Sequence, residues 1–382
     1  MLGADYRGLG VVRSLGRRGI PVWVLTQPGE TLAAHSRYAR RALRLPAEPD
    51  ARADALLELG DEIGGWALVP TTDEDAALVA RNRERLAERF TLTSPGWESL
   101  RWAYDKRWTY RLGDDCGIEC PWTAQPRDRE ELASLDVPFP AILKPAVKTG
   151  FNRLTAAKAW RVDDRRELLE RYDEACGLVA ADVLLVQELV PGDGGQYSHA
   201  ALCRDGEPLA TITARRTRQY PADFGRASTF VETIDDPETA EQAAAVFARM
   251  QLTGLAEVEF KRDERDGRLK LLDINPRVWG WHTLGAAAGV DFPYLLWQLV
   301  SGEDVPRVHA RTGVRWLRLS TDLPTAVTEV AHRRMSAAAY LRSLHGPRES
   351  AIRSRDDPVP GLLELPLLAG TLARRLAGGA GV

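Results

Sequence analysis

One short stretch constrains this chain more than any other. Gly254-Leu255-Ala256-Glu257-Val258-Glu259-Phe260 and Leu269-Lys270-Leu271-Leu272-Asp273-Ile274-Asn275 flank the polar run Arg262-Asp263-Glu264-Arg265-Asp266-Gly267. Two apolar-alternating strands around an Asp-Gly turn read as a β-hairpin. Folding about residue 266 puts Glu259 nearly opposite Asp273. Side chains two apart share a strand face, so Asp273 and Asn275 point the same way. Two carboxylates and an amide oxygen then converge. Such a hard oxygen set suits Mg²⁺, which keeps waters and phosphate oxygens as its remaining ligands. Arg277 lies two residues further on, where a guanidinium can hold a phosphoryl group bidentately. The competing reading is an edge hairpin with solvated acids. Against it, Asp, Asn and Pro all disfavour strand interiors, so Asp-Ile-Asn-Pro-Arg at the end of a strong strand asks for a functional reason.

The first 70 residues alternate strand and helix, which predicts a parallel sheet. Met1-Leu2-Gly3-Ala4-Asp5 reads as the end of a strand, 9–18 as an amphipathic helix closed by Gly19, and 21–25 and 66–70 as buried strands. The acidic cluster Asp73-Glu74-Asp75 opens a helix capped by a Thr or Asp. Gly3, Gly8 and Gly10 lack the fixed spacing of a dinucleotide-binding loop. The same region is rich in arginine. These side chains form a solvated, ion-paired face, or some of them, Arg7 and Arg13 above all, hold a substrate carboxylate. Further on, Asp105-Lys106 starts a helix ending near Gly117, 141–145 is a strand carrying Lys144, and 183–188 is an apolar strand with a polar end. Only 6 of the 51 basic residues are lysines, so a lysine kept in an apolar strand suggests a need for a compact ammonium.

Composition narrows the function classes. A length of 382 residues implies two or three packed domains, and 44% hydrophobic with 27% charged residues implies ordinary cores. A net charge of −3 offers no field for nucleic acid. No apolar run approaches the roughly 18 residues of a membrane span. The charged N-terminal stretch does not resemble a signal peptide. Cys116, Cys120, Cys176 and Cys203 lack zinc spacing and read as reduced thiols. A cytoplasmic location is the expectation. Residues 303–382 carry 12 arginines and a Leu-rich run from Pro360 to Leu368. They read as a helical appendage, or as a segment lying on a membrane surface or a protein partner.

The segment from Gly254 to Arg277 resembles the metal-binding signature of the ATP-grasp superfamily, with Asp273 where the family usually has Glu. Three further stretches are similar to family motifs: Asp105-Lys106 with Gly117-Ile118 and Pro121-Trp122-Thr123; Ile142-Leu143-Lys144-Pro145; and Val186-Gln187-Glu188-Leu189-Val190-Pro191-Gly192. They run in the family's order over about 100–300. The resemblance implies an α/β and α+β architecture: a Rossmann-like pre-ATP-grasp domain (1–100), a small ATP-grasp subdomain (101–185), a C-terminal subdomain with the metal site (186–302) and the appendage (303–382). It implies a carboxylate-amine ligase that uses ATP and Mg²⁺ (two ions, with Mn²⁺ as the alternative). By position, Lys106 and Lys144 meet phosphates. Gln187, Glu188, Leu189 and Val190 meet adenine, and Asp193 the ribose. Glu259, Asp273 and Asn275 hold metal, and Arg277 with Lys144 stabilises the acyl-phosphate states. The family's phosphate loop is usually glycine-rich. Here 145–153 has a single glycine, which shifts work to side chains such as Lys148. Arg215 and Arg216 are candidates for a substrate carboxylate, with a solvated strand edge as the other reading. Trp279 and Trp281 are core or pocket wall, and His282 a candidate base. The partners implied are a small carboxylate and an amine, with a homodimer left open. The alternatives are an ATP-grasp carboxylase, a phosphotransferase, or a non-catalytic ATP-binding regulatory protein.

Overall fold

The computed structural model describes residues 1–27, 29, 31–147, 152–192, 195–220, 227–346 and 348–378. Strands β1 (Val22–Thr26) and β2 (Ala39–Arg44) pair in parallel, as do β3 (Ala67–Leu68) and β4 (Thr91–Leu92). Leu2 bridges both pairs, lying parallel to Leu25 on one side and to Pro70 on the other. Helix Tyr6–Gly16 begins at once, because the Asp5 carboxylate accepts from the amides of Arg7 (2.8 Å) and Gly8 (3.4 Å). Its glycines serve close packing. A Cβ on Gly8 would stand 2.4 Å from the Gly3 carbonyl oxygen, and one on Gly10 would stand 2.4 Å from His282 Nε2.

A four-stranded antiparallel sheet follows: β5 (Thr123–Ala124), β6 (Ala141–Pro145), β7 (Trp160–Val162) and β8 (Leu184–Glu188), in the order β5-β8-β6-β7. Helix Lys106–Asp115 leads into it, capped by Asp105 as the Asp-Lys pair predicts. Leu168, Tyr172 and Ala175 of helix Arg165–Cys176 share a core with Leu143, Val162, Leu184 and Val186 of the sheet.

The largest sheet contains β9 (Gln196–Arg204), β10 (Glu207–Tyr220), β11 (Ala227–Thr233), β12 (Gly254–Arg262), β13 (Leu269–Asn275), β14 (Val308–His309), β15 (Arg315–Leu317) and β16 (Arg348–Ser350). Its order is β13-β12-β9-β10-β11-β15-β16, with β14 on β10. Period-two alternation splits its residues between two cores. Ala201, Cys203, Val258 and Phe260 pack with helix Pro237–Arg249. Ala200, Leu202, Ile212 and Leu255 pack with Trp279, Trp281 and helices Tyr6–Gly16 and Phe292–Val300. Trp279 and Trp281 are therefore core residues.

Two expectations need correction here. The stretch from 303 is not simply helical, since β14, β15 and β16 join the large sheet and Trp316 is fully buried. Arg13 does not face a substrate. It is buried and donates to Asp357 Oδ2 (2.9 Å), the Asp357 carbonyl (2.8 Å) and the Ile352 carbonyl (2.7 Å), tying the first helix to the C-terminal segment. The final helix, Val359–Gly378, exposes Leu362 and Leu365. No helix among the described residues is long and apolar enough to cross a membrane.

Candidate functional site

Across the hairpin, Glu259 pairs with Asp273, and Glu257 with Asn275. The register shifts by one residue between Glu259 and Phe260, which leaves Leu272 as the extra residue on β13. Asn275 Nδ2 donates to Glu259 Oε1 at 2.9 Å and to Glu257 Oε2 at 3.2 Å. Each metal-ligand candidate also meets a cation. Arg216 Nη2 donates to Glu259 Oε2 at 2.9 Å, Lys106 Nζ donates to Asp273 Oδ1, and Arg277 Nη2 donates to Asn275 Oδ1 at 2.8 Å. Burial alone would raise the Asp273 carboxyl, but Lys106 and Lys158 outweigh it and hold it below its ordinary value. Among the described residues no three His, Cys, Asp or Glu side chains form a metal-binding group. The donor set is two carboxylates and an amide. That chemistry fits Mg²⁺, whose remaining ligands come from water and phosphate, better than a metal needing a complete protein cage.

Arg277 leaves the hairpin to meet the N-terminal region. Its Nε donates to Asp73 Oδ1 at 2.7 Å and its Nη2 to Asp73 Oδ2 at 3.2 Å. Arg7, itself bonded to Asp5 at 2.8 Å, lies close enough to feel both Asp73 and Arg277. Two guanidinium groups thus gather where the first 75 residues touch the hairpin.

On the small sheet, Lys144 Nζ donates to Tyr110 Oη (2.7 Å) and Gln187 Oε1 (2.8 Å). Burial, then the neighbouring Lys106, pushes the Lys144 ammonium down to about 7, against the pull of Asp273. Gln187 Nε2 donates to Thr123 Oγ1 at 2.7 Å. The Glu188 side chain is committed elsewhere. It accepts from Lys270 Nζ (2.6 Å), Arg265 Nη2 (2.6 Å) and the Trp122 amide (3.0 Å). It clamps β8 to the hairpin. The Leu189 amide donates to the Pro140 carbonyl at 2.9 Å, and Val190 is buried. Lys148 and Asp193 lie outside the described residues.

The paired arginines separate. Arg216 stands on the site face with Glu259, whereas Arg215, one residue away, takes the opposite face of β10. Arg215 is thereby removed from the acids, as alternation requires. His282 is no base. It is buried against Gly10, its Nδ1–H donates to the Trp279 carbonyl at 2.9 Å, and burial pushes its ring down to about 4.

Four contributors escaped the sequence reading. Glu257 shares the face of Glu259 by the same period-two rule, and it accepts from Trp281 Nε1 at 2.8 Å. Burial and its neighbour Glu259 push the Glu257 carboxyl up. Asp73 was visible as an acidic residue at a strand end, and Tyr110 as a polar residue one helical turn past Lys106. Lys158 was visible through the scarcity of lysine. It ends helix Arg153–Ala157 at a left-handed φ of 73°, with one side open to solvent, yet it lies within electrostatic reach of Glu259 and Asp273.

Parts of this chain are similar to known proteins. The family described as "ATP-grasp in the biosynthetic pathway with Ter operon" matches residues 180–321. The L-amino acid ligase of Bacillus licheniformis superposes with a TM-score of 0.60 at 16% identity, over 78% of this chain and 72% of that one. The biotin carboxylase domain of Hydrogenobacter thermophilus 2-oxoglutarate carboxylase, solved with MgADP, superposes with a TM-score of 0.65 at 16% identity, over 82% of this chain and 72% of that one. The chain has the ATP-grasp fold. A curated relative, the D-aspartate ligase of Enterococcus faecium (strain Aus0004), is 25% identical over 232 residues, 57% of this chain and 54% of the relative. The ATP-grasp chain therefore spans about half the length of that relative.

Proposed function

We propose that this chain is an ATP-dependent carboxylate-amine ligase that forms an amide or peptide bond through an acyl phosphate and releases ADP and phosphate. One observation carries the reading: Glu259, Asp273 and Asn275 converge across a hairpin register while Lys106, Arg216 and Arg277 each pair with one of them. A site with three hard donors and three cations is built for a polyanion rather than for general acid–base work on a neutral substrate.

In this reading residues 1–100 form the pre-ATP-grasp domain, 101–185 the small subdomain and 186–302 the metal-bearing subdomain. The adenine lies along Gln187 to Val190. Mg²⁺, held by Glu259, Asp273 and Asn275, would neutralise the triphosphate and align its terminal group. Lys144 and Lys106 meet phosphate oxygens as compact cations. Arg277 and Arg7 hold the substrate carboxylate at the junction with the N-terminal region. A carboxylate oxygen attacks the γ-phosphorus, and the bond from that phosphorus to the ADP oxygen breaks. The amine then attacks the acyl carbon, the acyl–phosphate C–O bond breaks, and the amine loses a proton to solvent. Lys144 and Arg277 offset the charge that builds on the transferring group. A relative named D-aspartate ligase and a fold neighbour named L-amino acid ligase support an amino acid among the substrates.

The test is ADP release from MgATP across a panel of amino acids and small carboxylates, with Asp273→Asn as control. Turnover that requires both a carboxylate and an amine, and drops at least 100-fold in the variant, is the expected result. ADP release that needs bicarbonate and no amine would sink the ligase reading.

A further inference from the structure

Glu257 has no place in the ligand set proposed above, yet it is buried directly beside it. It stands on β12 two residues before Glu259, on the same strand face, and opposite Asn275 of β13. Only 4% of it is exposed. A carboxyl group buried that deeply costs stability, whereas an apolar side chain at the same strand position would not. The groups that donate to it are neutral. The Trp281 indole donates to Oε1 (2.8 Å) and the Asn275 amide to Oε2 (3.2 Å), with the Ser198 hydroxyl also in reach. Both oxygens can accept whether the carboxyl is ionised or neutral.

Asn275 is a ligand candidate that can present the wrong end. Its amide carries an oxygen on one side and an NH2 of nearly the same shape on the other, and only the oxygen can meet a cation. Three contacts choose between the two. Nδ2 gives its two hydrogens to two carboxyl groups, Glu257 Oε2 and Glu259 Oε1 (2.9 Å), and Oδ1 accepts from Arg277 Nη2 (2.8 Å). Turned over, the oxygen would face two carboxyl groups and the NH2 a guanidinium, repulsive at each contact. Two of the three partners have other work in a loaded site. Glu259 is itself a metal-ligand candidate, and Arg277 is assigned to the transferring group. Glu257 has no such second task. Its other oxygen is fixed by Trp281, which belongs to the core shared with helix Tyr6–Gly16.

We propose that Glu257 is a positioning residue: anchored on the Trp281 indole, it holds the Asn275 amide with its oxygen turned toward the metal position. This rests on the metal site of the reading above, and adds to it a residue that touches neither metal nor nucleotide. Groups that fix the orientation of a ligand in this way set how tightly the ligand set holds its ion.

The test reads Mn²⁺ binding by electron paramagnetic resonance, with ADP present. An amide at position 257 has one acceptor and one donor, so Glu257→Gln cannot accept from both Trp281 and Asn275. Its Mn²⁺ affinity is expected to fall at least about tenfold, with metal-free ADP affinity unchanged. Trp281→Phe removes the competing donor. Alone it is expected to leave Mn²⁺ affinity near the parent value. Added to Glu257→Gln it is expected to restore that affinity, because the new amide oxygen is then free to turn to Asn275. Glu257→Met keeps the length, removes both oxygens and buries no charge, so it is expected to fold at least as stably as the parent and still lose Mn²⁺ affinity about tenfold. Equal Mn²⁺ affinity in the parent and Glu257→Met would overturn the proposal and leave the metal site standing, as would a Glu257→Gln loss that Trp281→Phe does not reverse. A parent chain that binds no Mn²⁺ would overturn the site and the proposal together.

Discussion

Lys144 is held by a phenol and an amide oxygen, with no carboxylate among the described residues bonded to it, while a second lysine stands nearby. Its ammonium therefore titrates near neutrality, at about 7. A triphosphate placed beside it stabilises the charged form and raises that value. The sign follows: between the free and bound values, nucleotide binding takes up a proton, and affinity falls as pH rises above about 7. Calorimetry at pH 8 in buffers of different ionisation enthalpy should show net proton uptake on MgATP binding, reduced in Lys144→Met. Zero uptake in the unmodified chain would remove Lys144 from the phosphate site. The acid–cation pairs differ in a way that stability measurements can read. Arg216 and Glu259 expose 8% and 11% of their side chains, Lys106 and Asp273 18% and 21%. Removing one partner of a buried pair costs about 3–5 kcal/mol, because the other charge stays buried alone. Arg216→Ala should therefore lower the urea midpoint more than Lys106→Ala does. The reverse order would mean that the Glu259 pair is wetter than its burial indicates.

At the scale of elements, the hairpin shows which parts of a site a sequence carries. Period-two alternation and an Asp-Gly turn bring Glu259 to within one residue of Asp273, and the register shift after Glu259 completes the pairing. The same rule contains Glu257, and it shows that Arg215 and Arg216 cannot both face the acids. What alternation lacks is the identity of the inner face. That is set by which helix covers which side, a contact between residues far apart in sequence. The bulge after Glu259 was illegible for a related reason: no residue type demands it there. The turn itself makes a separate prediction. Gly267 adopts φ 77°, and a Cβ there would meet nothing within 4 Å. Gly267→Ala is then a purely backbone change, costing about 1–2 kcal/mol for a side chain in the left-handed region. Denaturant titration should show that loss, with MgATP affinity unchanged. A larger loss together with weaker nucleotide binding would show that the turn transmits strain to Asp273.

Across the whole molecule, the ends of the chain are tied together by charge. Asp357 accepts from Arg13 Nε (2.9 Å), Ser36 Oγ (2.7 Å) and the Arg37 amide (2.9 Å), joining residues more than 300 positions apart. No local pattern announces such a clamp. An arginine on an amphipathic helix looks the same whether it meets a substrate or a distant aspartate, and strands as short as β15 and β16 have no period to detect. Burial alone would raise the Asp357 carboxyl, but the Arg37 amide, the Ser36 hydroxyl and Arg13 outweigh it, so its value lies below the ordinary one. A carboxylate depressed on folding contributes stability that is complete above its unfolded value of about 4 and is lost as pH falls through the lower folded value. Asp357→Asn keeps the shape and removes the charge, leaving Arg13 buried without its counter-ion. The variant should lose about 3 kcal/mol at pH 7, and limited proteolysis should cut ahead of helix Val359–Gly378 sooner than in the parent. The stability gap between parent and variant should close as the pH is lowered through 4 toward 2, where the parent's carboxylate is also neutral. A gap of constant size over that range would show that Asp357 acts through hydrogen-bond geometry alone, and that the charge on Arg13 is balanced by another group.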